Sequence, residues 1–161
     1  YDIRDISADA PEDEAGIQAS AAALHEIVRV QIAAGLPARR IVVGGFSQGG
    51  AIALYAGLTL AERIGGILAM STYLPLYPSL QTQRPAAHPA PPIMMAHGAQ
   101  DAVVPLDFGR LSLRRLQQLG YIVTWRTYPM GHAICDQELE NIDTWLDGIL
   151  RQDGAGAARA R

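Results

Sequence analysis

The chain has 161 residues, 49% hydrophobic and 18% charged, which is the make-up of one packed domain and excludes a disordered segment. Its formal charge is −3 and all 13 basic residues are Arg, with no basic stripe, so nucleic acid finds no electrostatic footprint. Short apolar runs broken by Gly offer no membrane span, and a single Cys excludes an intramolecular disulfide framework and gives no metal cluster.

The chain opens at Tyr1 with no signal peptide in view. The expectation is a chain that begins after a processing point, or a piece of a longer protein, with a cytoplasmic location. Asp9-Ala10-Pro11-Glu12 reads as a helix start, with a capping Asp, an early Pro and Glu three residues on. Ile17, Ala21, Leu24 and Val28 then form a helical stripe, ended by Gly35-Leu36-Pro37. Ile41 to Phe46 is a continuous apolar run, as expected of a parallel strand buried on both faces. A small, apolar helix follows from about Gln48 to Leu60, and Ile64 to Met70 is a second buried strand. Residues 71–92 hold six of the ten prolines and read as an irregular excursion. Ile93 to Ala96 is a third strand, Leu106 to Gly120 a helix, Tyr121 to Tyr128 a fourth strand. Leu139, Ile142, Leu146 and Ile149 mark a last helix, and 151–161 reads as a flexible tail. Strands alternating with helices predict an α/β fold, a parallel sheet of about four strands with helices on both faces.

Gly45-Phe46-Ser47-Gln48-Gly49 is G-x-S-x-G between a predicted strand and a predicted helix, the setting in which a nucleophilic Ser sits on a tight turn above a sheet. The flanking glycines would leave room where a Cβ would clash. The helix start favours negative charge developing at Ser47, and the Gln48 backbone N–H becomes an oxyanion donor. A hydroxyl needs a base. Of the four His, His25 reads as a surface residue of the first helix, His88 as solvated, and His97 as hydrogen-bonded in a tight loop. His132, between the last strand and the last helix, is the candidate base, because doubly wound sheets present functional residues at the carboxyl ends of strands. Asp101, after the third strand, is the candidate acid that orients it. Asp107 and Asp136 sit at helix starts, where capping is the simpler account. Cys135 reads as a buried, inert thiol. The chain order Ser47, Asp101, His132 is that of α/β-hydrolase triads.

Gly44-Gly45-Phe46-Ser47-Gln48-Gly49-Gly50-Ala51, after Arg40-Ile41-Val42, resembles the nucleophile segment of the acyl-protein thioesterase and bacterial carboxylesterase family. Ser71-Thr72-Tyr73-Leu74-Pro75, His97 through Pro105, and Gly131-His132 resemble further family segments in order, as do Tyr1-Asp2-Ile3 and Glu12 through Ile17. The resemblance covers residues 1 to about 150. It implies a partial α/β-hydrolase domain at 1–150 that hydrolyses esters or thioesters of acyl substrates, small-molecule or protein, through an acyl-serine. Ser47 would attack, His132 shuttle the proton, Asp101 orient His132, and Leu74 lie beside the acyl groove. No cofactor and no metal are implied, and family members often form homodimers. The family's early His-Gly-x-Gly-type loop, source of the second oxyanion N–H, has no counterpart in residues 1–161. The chain alone is therefore expected to be weakly active and, with an apolar strand left at the sheet edge, poorly soluble. Two other readings are a peptidase on the same scaffold and a truncated, non-catalytic fragment.

Overall fold

A computed structural model describes residues 12–85 and 90–157, with side chains to residue 151. Four parallel strands lie in chain order: β1 (Val42–Phe46), β2 (Gly66–Met70), β3 (Ile93–Gly98) and β4 (Val123–Tyr128). The fold class read from the alternating pattern is the one observed. β2 and β3 lie in the middle and are almost wholly buried, whereas the outer strands carry exposed residues such as Gly44 and Arg126. Among the described residues, β1 is hydrogen-bonded along one edge only.

One face packs Val43, Ile67, Ala69, Ile93 and Met95 against α2 (Gln48–Thr59) and α4 (Leu106–Gln118). α2 is rich in Gly and Ala, so its backbone comes close to the sheet and eight of its twelve residues are buried. Behind it lies α1 (Glu14–Ala33), which buries Ile17, Ala21 and Val28 as the stripe predicts. Its cap is Asp13, whose carboxylate accepts from Gly16 N–H at 3.0 Å, not Asp9, which lies outside the described residues. His25 is half-buried, not a surface residue. Its Nε2 lies 2.8 Å from the carbonyl of Ala56, tying α1 to α2.

The opposite face packs Leu68 and Met94 against Ile142, Trp145 and Leu146 of α5 (Asp136–Ala157). Leu139, placed on the buried stripe from sequence, is 53% exposed, and Trp145 packs against this cluster. α5 also continues past residue 150, where the tail was expected to start; residues 158–161 lie outside the described residues. The proline-rich excursion is not wholly irregular. It holds a two-turn helix, α3 (Tyr77–Gln83), with Pro78 in its first turn, where the missing N–H costs nothing. Leu76 N–H donates to the Glu12 carboxylate at 2.9 Å and Arg84 Nη1 to the Leu119 carbonyl at 2.7 Å, so both ends of α3 are tied down.

Candidate active site

Ser47 stands between β1 and α2 with φ 54° and ψ −123°, a conformation costing a non-glycine residue about 1–3 kcal/mol. The strain is held by backbone bonds. Ser47 N–H donates to the Met70 carbonyl at 2.8 Å, and its own carbonyl accepts from Gly50 N–H at 3.0 Å and Ala51 N–H at 3.2 Å. A serine at a helix start ordinarily turns its hydroxyl onto the first-turn N–H groups. Here the left-handed φ swings the side chain away and it makes no capping hydrogen bond. The hydroxyl is thus left for other chemistry.

The two flanking glycines are not equivalent. A Cβ on Gly45 would collide with the backbone of Gly49 and lie 2.6 Å from the Gly50 nitrogen, whereas one on Gly49 would meet open space. Only the first is required by crowding at the turn.

β3 and β4 deliver the other two groups. Ala99 N–H donates to the Tyr128 carbonyl at 2.8 Å and Gln100 N–H to the Met130 carbonyl at 3.0 Å, so the loop after β3 is laced to the loop after β4. Gly98 allows that approach, because a Cβ there would strike the carbonyls of Gly131 and Met130. Asp101 and His132 meet as a result. His132 Nδ1 donates to Asp101 Oδ2 at 2.8 Å. A carboxylate only accepts, so the proton of the neutral ring sits on Nδ1 and the lone pair on Nε2. The other oxygen, Oδ1, accepts from Val103 N–H at 2.9 Å and Val104 N–H at 2.8 Å. Burial alone would raise the Asp101 pKa. The hydrogen bonds from His132, Val104 and Val103 outweigh it and hold the carboxyl below its ordinary value. The His132 ring lies 4.6 Å, centroid to centroid, from Phe46, the residue before Ser47, which puts the imidazole at the turn.

The remaining candidates fall elsewhere. Asp107 is on the surface, 3.5 Å from Arg110, and Asp136 opens α5. Cys135 is half-buried, not fully buried. His88 lies outside the described residues. Leu74 is only 2% exposed, its N–H donating to Ser112 Oγ at 2.7 Å. Among the described residues no group of His, Cys, Asp or Glu could hold a metal ion, and no helix is long and apolar enough to cross a membrane.

Two features escaped the sequence reading. Ser71, at the end of β2, also has a positive φ, 46°, and is fully buried, with no Gly beside it to signal the turn. His97 is hydrogen-bonded as expected, its Nε2 2.8 Å from the Val104 carbonyl, but it also stands 3.7 Å from Asp101 Oδ2, a proximity for which the four-residue spacing was the available signal.

The family model described as phospholipase/carboxylesterase matches residues 1–150. The chain belongs to this family. Its sheet and helices are those of the α/β-hydrolase fold. Among phospholipase/carboxylesterase relatives, it is 44% identical over 156 residues to acyl-protein thioesterase 1 of Neurospora crassa and 40% identical over 154 residues to that of Gibberella zeae. Those alignments take in 91% of this chain but 63% and 66% of the relatives, so the chain spans slightly less than two thirds of their length. Arabidopsis thaliana SOBER1 superposes with a TM-score of 0.85 at 29% identity, over 89% of this chain and 69% of that one. Acyl-protein thioesterase 2 of Zea mays gives 0.79 at 28% identity, over 91% and 70%.

Proposed function

We propose that the protein is a serine hydrolase that cleaves carboxylic ester or thioester bonds of acyl substrates. The observation that carries the reading is the Asp101–His132 hydrogen bond, 2.8 Å long, beside a strained Ser47 whose hydroxyl caps nothing. The Ser47 Oγ–H proton passes to His132 Nε2 as Oγ bonds to the acyl carbon. The C–O or C–S bond then breaks, and the proton on Nε2 goes to the leaving alcohol or thiol. Water, deprotonated by the same nitrogen, releases the acid and restores Ser47. Asp101 holds the Nδ1–H tautomer and offsets the imidazolium charge.

Gln48 opens α2, where the helix start favours negative charge developing beside Ser47. That supports its N–H as one donor to the oxyanion; absence of a second donor costs about 10²–10³ in rate. Leu74 is proposed as a wall of the acyl groove, held in place by Ser112. The relatives named acyl-protein thioesterase support an acylated substrate, small-molecule or protein, and the proposal extends to a cytoplasmic location and a homodimer.

The test is labelling by a fluorophosphonate probe and turnover of p-nitrophenyl acyl esters, acyl thioesters and aminoacyl anilides. Labelling is expected at Ser47 and lost in Ser47→Ala. Turnover should fall about 10⁴-fold or more in Ser47→Ala and His132→Ala. Esters and thioesters should be cleaved in preference to anilides. Labelling that survives Ser47→Ala removes Ser47 from the role, and preferential cleavage of anilides would mean a peptidase.

A further inference from the structure

His97 is the last residue but one of β3 and is fully buried. Its Nε2 lies 2.8 Å from the Val104 carbonyl, and a carbonyl only accepts, so Nε2 carries a proton. Its Nδ1 is buried with no hydrogen-bond partner among the described residues. A proton there would be a buried donor left unpaired, so Nδ1 keeps its lone pair. The ring is fixed on two further sides. A Cβ added at Gly109 of α4 would sit 2.7 Å from Nδ1, and the Trp125 ring lies 6.1 Å away, centroid to centroid.

Val104 is therefore gripped at both ends of its peptide chemistry. Its N–H is held by Asp101 Oδ1 at 2.8 Å and its carbonyl by His97 Nε2 at 2.8 Å. The same Nε2 stands 3.7 Å from Asp101 Oδ2, the oxygen that receives His132. A carboxylate that must aim one oxygen at an imidazole needs its other oxygen fixed. Val103 and Val104 fix it, and His97 fixes Val104.

We propose that His97 is a positioning residue for the acid of the site: through Val104 it sets the direction of the Asp101 carboxylate, and hence of His132. This rests on the reading of Asp101 and His132 as acid and base. It assigns the function to the ring's Nε2 donor alone, which Gln reproduces and Asn, one carbon shorter, does not.

The experiment compares His97→Gln and His97→Asn in the full 161-residue chain by two readouts. The first is the downfield proton NMR resonance of His132 Nδ1–H bonded to Asp101, assigned by its loss in His132→Ala; it needs no turnover. The second is kcat and KM on an acyl ester. His97→Asn should melt cooperatively, lose or broaden the resonance, and lower kcat about 10- to 100-fold with KM little changed, as a misplaced catalytic group does. His97→Gln should restore both. A resonance and kcat in His97→Asn equal to the parent's would overturn the proposal, as would equal losses in both variants. If His97→Asn does not fold, Gly109→Ala presses the same ring from α4, at a position where alanine is the better helix former. There too the resonance should weaken, and an unchanged one would overturn the inference. A parent that shows the resonance but no turnover removes the proposed hydrolase reading and leaves the positioning role standing.

Discussion

At the scale of single residues, backbone crowding and burial decide which side chains matter. The two glycines of G-x-S-x-G are alike in the motif and unlike in space. Gly45→Ala should destabilise the fold by about 3 kcal/mol or prevent folding, because the atoms it meets are backbone and cannot give way. Gly49→Ala should be neutral or stabilising by up to about 1 kcal/mol; thermal melts of the pair check both. Glu138 gives a second contrast. It lies in the first turn of α5, fully buried, with neither carboxylate oxygen hydrogen-bonded among the described residues. Burial raises its pKa above the ordinary carboxyl value. The folded chain thus holds this proton to higher pH than the unfolded chain does. Its contribution to stability is complete below the unfolded carboxyl's pKa of about 4.3 and declines as pH rises through the folded value. Glu138→Gln does not titrate. It should melt above the parent at neutral pH, with the gap closing as melts are repeated toward pH 4.

At the scale of elements, the periodicities placed four strands and the main helices because the burial of each follows its own apolar pattern. α2 is apolar nearly all round and is buried nearly all round; α1 shows its stripe and buries it. The misplacements have local causes. Asp9 has an early Pro and a Glu three residues on, the usual signs of a helix start, whereas Asp13 has Gly16 at that position and caps α1 through its carboxylate alone. The proline-rich stretch hid α3 because prolines ordinarily end helices, yet Pro78 occupies a first turn. Leu139 shares the spacing of the α5 stripe but is 53% exposed, while Trp145, off the expected series, packs against the Leu68 and Met94 side.

At the scale of the whole molecule, β1 is one of the two edges of the sheet among the described residues. Ile41 accepts from Gly65 and Ser47 donates to Met70, both toward β2, so the alternate N–H and C=O groups, at Val42, Gly44 and Phe46, point away from it. An apolar strand with such an edge recruits other strands. Sedimentation velocity on the 161-residue chain should show faster-sedimenting species as concentration rises. A single monomeric boundary throughout the range would remove the edge as a source of association.

The sequence by itself determined the alternating order, the turn that carries Ser47, and three chemically matched side chains at three strand ends, because these are properties of local pattern and chain order. Only the tertiary structure decided which of them touch. The Asp101–His132 bond depends on two loops laced together over Gly98, residues about thirty positions apart in the chain, and no local pattern encodes that approach. The same holds for His97. Its loop position is visible in sequence, but its grip on Val104 exists only once α4 and Trp125 have closed around the ring.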